Sequence, residues 1–143
     1  RLAFGSNAPA GPVSPLHGIL LAVERKGAEE GPELRFFPRE RLSLEDAVYA
    51  YTAGAAAAVG LEEGGSLEPG KVADMVHLSL DIFRGGGRAG RLAGGAEALL
   101  RARVVRTYVG GEPVYERRAG EGVPAPAGGE NGGEIGESGE SGG

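Results

Sequence analysis

Glycine placement limits how much of this chain can fold. Ten of its 28 glycines fall in residues 119–143, with five glutamates, no lysine or arginine, and only two branched apolar residues, Val123 and Ile135. Such a stretch cannot bury enough apolar surface to offset the entropy of ordering it, so residues 119–143 are expected to form a disordered tail. Fold and site must then come from residues 1–118. The charge reading changes with them. The chain is −5 overall, and removing the five tail glutamates from 20 acidic residues leaves 15 against 15 basic ones. A neutral body argues against nucleic acid or an anionic membrane surface as partner.

The chain has no cysteine, which excludes disulfides, thiolate zinc sites and cysteine nucleophiles. No apolar run approaches the roughly 18 residues of a bilayer span, and no basic-then-apolar leader opens the sequence. A cytoplasmic location is the expectation. The sequence begins at Arg1, inside what reads as a strand, so a processed or incomplete chain is expected.

Residues 2–4, Leu2-Ala3-Phe4, read as a short buried strand stopped by Gly5, with Ser6 and Asn7 delivered into a turn closed by Pro9. In α/β proteins the carboxyl end of a strand is where polar groups meet a ligand, which makes Ser6 and Asn7 the first candidates. Ser14 followed by Pro15 is a helix start, and Leu16, Ile19, Leu20 and Val23 keep helical spacing up to Gly27. Phe36 and Phe37 are expected to pin the following polar loop. Ser43 and Asp46 form a capping box, with Leu42 as staple partner for Ala47, and one alanine-rich helix is predicted to run to Gly60. Residues 73–80 alternate as a strand with Val76, Leu78 and Leu80 buried and His77 and Ser79 polar. Residues 96–101 suggest a helical turn. Gly110-Gly111 between two apolar runs marks a terminal β-hairpin.

Each candidate residue has a plainer reading. Asn7 can offer a cation its amide oxygen or orient a substrate, but it has no titratable oxygen for base catalysis. Asn-Ala-Pro is also an ordinary turn initiator, and the turn weighs more. His17 borders an apolar helical stripe and His77 a polar strand face. Neither has partners at metal-ligand spacing, so neither is expected to ligate. Asp74 and Asp81 flank the strand and are expected to end it. Gly70-Lys71 lacks the remaining residues of a phosphate loop and leads into a strand. Arg84-Gly85-Gly86-Gly87-Arg88 with Arg91 has no interleaved aromatics and reads as linker rather than RNA-binding segment.

The order of several blocks is more specific. Leu2-Ala3-Phe4-Gly5-Ser6-Asn7-Ala8-Pro9, Ser14-Pro15-Leu16-His17-Gly18-Ile19, Leu42-Ser43-Leu44-Glu45-Asp46-Ala47, Gly65-Ser66-Leu67-Glu68-Pro69-Gly70-Lys71-Val72-Ala73-Asp74 and Val109-Gly110-Gly111-Glu112-Pro113-Val114-Tyr115 resemble the C-terminal part of amidohydrolase family 3. Within the metal-dependent amidohydrolase superfamily, this is the branch similar to N-substituted formamide deformylases. The resemblance implies an α/β fold: residues 1–62 as the last strand and helices of a (β/α)8 TIM barrel, 63–118 as part of a small β-sandwich, and 119–143 as tail. It implies a parent enzyme that hydrolyses amide-like, non-peptide carbon–nitrogen bonds of a small molecule with a divalent metal, zinc being expected. Asn7 matches the family's metal-binding, catalytic aspartate, so its catalytic and metal roles are expected to be impaired. Ser14 also stands where relatives tend to have Asp. The other ligands would lie upstream of Arg1, so this segment alone is expected to bind no metal and be inactive. The competing expectation is a non-catalytic remnant or interaction module that has lost the metal site.

Overall fold

The structure is a computed structural model and describes residues 1–25, 37–83 and 96–118. The expectations for Gly27, Phe36, residues 84–95 and the tail at 119–143 lie outside the described residues.

Helix α1, Pro15–Glu24, begins on a proline, whose missing N–H is not needed there. Ser14 precedes it in an extended conformation but makes no side-chain cap. The N–H of His17, which a capping hydroxyl would take, donates instead to the Ser14 carbonyl at 3.1 Å. The helix stops at Arg25, whose left-handed backbone (φ 53°) lets its N–H return to the Leu21 carbonyl at 2.8 Å. Phe37 is 71% exposed and opens a short 3-10 turn, Pro38–Glu40. It pins nothing to the core.

The predicted single alanine-rich helix is two: α2, Leu44–Tyr51, and α3, Ala53–Ala58. The N-cap half of the capping box forms, and the Asp46 carboxylate takes the Ser43 hydroxyl. Ser43 Oγ accepts from the Asp46 N–H at 3.0 Å and donates to Asp46 Oδ2 at 2.7 Å. The break is at Thr52 (φ −120°, ψ −95°), whose hydroxyl donates back to the Val48 carbonyl at 2.8 Å. Hydroxyls that bond the preceding turn bend helices.

Residues 2–4 are not a strand. Leu2 is half exposed, and the Phe4 N–H donates to the Ala50 carbonyl at 2.9 Å, at the α2–α3 joint. A strand needs a neighbouring strand to pair with, and among the described residues none lies beside this segment. Gly54 permits the approach: a β-carbon there would stand 2.2 Å from the Leu2 carbonyl oxygen.

The core joins Ile19 and Val23 of α1, Leu44 and Ala47 of α2, Ile82, Leu99 of α4 (Ala96–Arg101) and Ala102. It therefore draws side chains from both sides of residue 62. No helix among the described residues is long and apolar enough to cross a membrane.

Strands β1 (Met75–Leu78), β2 (Val104–Val109) and β3 (Glu112–Glu116) form an antiparallel sheet in that order. The hairpin turn sits where predicted, with Gly110 and Gly111 at φ 58° and 87° as a tight turn requires. The expected alternation of buried and polar residues in β1 does not hold. Val76 is 60% and Leu80 44% exposed; only Leu78 packs against the core. Helices pack on helices, α1 with α2 and α4 and α2 with α3, while the strands pack on one another. Alternation in a sequence records a face fit for burial, not what covers it.

Candidate functional site

The opening turn is built by close backbone approach. Gly5 releases the chain from Phe4, and Asn7 takes a left-handed conformation (φ 51°) that Asn tolerates better than most residues. Its carbonyl accepts the Gly11 N–H at 3.2 Å. Gly11 is needed there, since a β-carbon would stand 2.8 Å from the Ser6 carbonyl oxygen. The Ala8–Pro9 bond is cis.

This turn, α1 and the end of α2 enclose an open cleft of about 370 Å³. Phe4, Leu21 and Ala22 give it apolar walls, and Ser6, His17 and Tyr51 bring polar groups to it. The Phe4 and Tyr51 rings meet edge to face at 5.4 Å and 66°. Tyr51 reaches across α1 because residue 18 is glycine; a β-carbon there would stand 1.8 Å from the Tyr51 hydroxyl. Ser6, His17 and Tyr51 are partly buried, and none of their side chains hydrogen-bonds to another described residue.

The two sequence candidates therefore part company. Ser6 lines the cleft, while Asn7 is exposed and not among its lining residues. His17, which the sequence offers as a candidate ligand without partners at metal-ligand spacing, and Tyr51, to which it gives only a packing place, complete the cleft. The legible hint was Gly18, an isolated glycine inside a helical pattern, which signals close packing. No carboxylate lines the cleft to orient His17, so the described residues assemble no serine–histidine–acid relay.

The remaining candidates have structural partners. Asp74 Oδ1 accepts the Gly110 N–H at 2.7 Å, and the Gly111 N–H donates to the Ala73 carbonyl at 2.9 Å, so Asp74 clamps the hairpin turn to β1. Asp81 accepts the Phe83 N–H at 2.9 Å in a turn of its own, three residues after β1 has ended at Leu78 rather than at the strand's end as expected. His77 is exposed on β1, opposite Arg106 in the register. The Arg106 guanidinium bonds the Glu116 carboxylate, which, with a lesser contribution from Tyr108, holds it above its already high ordinary range. Lys71 Nζ donates to Ser66 Oγ at 2.7 Å and lies 3.8 Å from Glu68 Oε1. With the Val72 N–H on the Glu63 carbonyl at 2.8 Å, these bonds fold the Gly65–Lys71 stretch into a compact turn, not a phosphate loop.

Among the described residues no three His, Asp or Glu side chains come together to hold a metal. Asn7 would contribute one neutral oxygen. The described residues do not make a metal site by themselves.

The family model described as "Amidohydrolase family" matches residues 1–115. The chain belongs to the amidohydrolase family. It is 37% identical over 115 residues to "Protein LONG AFTER FAR-RED 3" of Arabidopsis thaliana, covering 80% of this chain and 18% of that protein. It is 34% identical over 116 residues to "Putative amidohydrolase YtcJ" of Bacillus subtilis (strain 168), covering 80% of this chain and 20% of that one. The chain thus spans about a fifth of the length of these curated relatives. No solved structure matches. The cleft and the Asn7 turn lie inside the matched residues.

Proposed function

We propose that these residues are the C-terminal part of a metal-dependent hydrolase that cleaves amide-like, non-peptide carbon–nitrogen bonds in a small molecule, within the branch resembling N-substituted formamide deformylases. Residues 1–62 then derive from the end of a (β/α)8 barrel, 63–118 from a composite β-sandwich, and 119–143 form a tail. The divalent metal, zinc in this reading, is held by residues upstream of Arg1, and Asn7 stands at the position of a metal-binding aspartate. The observation that carries the reading is the family match across residues 1–115, within which Asn7 lies in the first block. The backbone at Asn7 fits as well: its left-handed φ is one that aspartate also adopts, and its side chain is exposed at the turn.

The test is made on the longer polypeptide that includes an upstream catalytic half, supplied with zinc and assayed on an N-substituted formamide. Turnover that stops on chelation and returns with zinc is expected, with none from residues 1–143 alone. Turnover indifferent to chelation, or robust turnover by residues 1–143, contradicts the proposal.

A further inference from the structure

We propose that Tyr51 is a positioning residue for the Ser6–Asn7 turn: its ring, seated between Phe4 and Gly18, holds together the two ends from which that turn is hung. The turn is closed on itself, with the Asn7 carbonyl taking the Gly11 N–H at 3.2 Å and Gly11 lying against the Ser6 carbonyl. What fixes its place in the molecule must therefore lie outside it. On the side before the turn, Phe4 is the only partly buried residue among residues 1–5, and a β-carbon on Gly5 would meet nothing within 4 Å. On the side after it comes α1, which packs on α2.

Tyr51 touches both sides. As the last residue of α2, it follows Ala50, whose carbonyl takes the Phe4 N–H at 2.9 Å, and its ring meets the Phe4 ring edge to face at 5.4 Å. Residue 4 is thus held twice, by backbone and by ring. The Tyr51 hydroxyl lies 1.8 Å from where a β-carbon on Gly18 of α1 would stand, with the ring carbon that bears it at 2.7 Å. A tyrosine ring swings about two side-chain torsions, so a substituent at residue 18 is accommodated by moving the ring, and Phe4 moves with it. The chain of contacts runs from Gly18 through Tyr51 and Phe4 to Ser6 and Asn7. The inference deepens the hydrolase proposal and rests on it for its catalytic consequence alone: a displacement of about 1 Å at a positioned group can cost about 10²-fold in rate.

The experiment compares the 143-residue chain with Tyr51→Leu, Tyr51→Phe and Gly18→Ala by two-dimensional NMR and amide exchange. Tyr51→Leu is expected to shift the Ser6 and Asn7 resonances and to speed Phe4 exchange about 2- to 10-fold, the weight of one aromatic pair, with a smaller change at Leu99. Tyr51→Phe keeps the ring and should leave Phe4 exchange as it is. Gly18→Ala should shift Phe4, Ser6 and Asn7, and adding Tyr51→Phe should shrink those shifts, because the conflicting hydroxyl is gone; independent structural roles would give no such coupling. In the longer polypeptide, Tyr51→Leu should lower kcat about 10- to 100-fold with KM within about twofold, and Tyr51→Phe should retain kcat. Ser6 and Asn7 resonances untouched by both Tyr51→Leu and Gly18→Ala overturn the proposal. So does equal speeding at Phe4 and Leu99, which marks global unfolding, or a change in KM alone. The NMR readouts need no turnover, so an inactive longer polypeptide contradicts the hydrolase proposal only, and an active one with an unmoved turn contradicts this one only.

Discussion

Helices α1, α2 and α4 bury Ile19, Val23, Leu44, Ala47 and Leu99 to 6% exposure or less, whereas the sheet leaves Val76, Val109, Val114 and Tyr115 between 42% and 60% exposed. The two regions are held by different forces. Apolar burial, which scales with area, stabilises the helical region. The sheet depends on its hydrogen-bonded ladder, the Asp74 clamp and the exposed Arg106–Glu116 pair. A substitution of the same size should therefore cost much more in one region than in the other.

The largest effect is expected at Leu99, 2% exposed at the centre of the core. Leu99→Ala should cost about 2–5 kcal/mol through lost transfer energy and a cavity, read as a lower urea midpoint. Val76→Ala in the sheet should shift that midpoint far less, and an equal shift would break the contrast. Gly54→Ala comes next. Alanine usually favours a helix, but its β-carbon would meet the Leu2 carbonyl oxygen at 2.2 Å, so a net loss of about 1–3 kcal/mol is expected. A gain in melting temperature would show that residues 1–4 are not seated on α3.

Asp74→Ala leaves the Gly110 N–H without its acceptor. About 1 kcal/mol is expected, seen as faster amide exchange at Gly110 and Gly111 with Leu99 protection unchanged. The smallest effect is expected at Arg106. Its raised pKa contributes stability that is complete below the ordinary arginine value and is lost only as pH rises through the still higher folded value. Arg106→Gln should therefore leave the dependence of stability on pH unaltered across the neutral range, and the exposed pair is screened by salt.

What the sequence disclosed was mostly local. The Ser43 cap on Asp46 and the Gly110-Gly111 turn rest on residues at most three apart, and both formed as expected. The break at Thr52 was hidden because alanines carry helical spacing across it while one hydroxyl bonds the preceding turn. The burial of residues 2–4 and of Val76 depends on what lies against them, which spacing cannot state. The cleft was hidden for the same reason. It exists because Tyr51 of α2 lies over Gly18 of α1, a contact between distant residues. Ser6 and Asn7 were both legible as candidates from their place after residues 2–4, and Ser6 is the one of the two that reaches the cleft.

The most direct test concerns Asn7 in the longer polypeptide with its upstream half. With zinc present, turnover of an N-substituted formamide is compared between Asn7 and Asn7→Asp, a change that the left-handed backbone at this turn accepts. Restoring the carboxylate should raise turnover about 10²- to 10⁴-fold, the scale of losing or regaining one positioned acid–base group, with folding stability unchanged. Equal or lower turnover in Asn7→Asp would contradict the assignment of Asn7 to the metal-binding position.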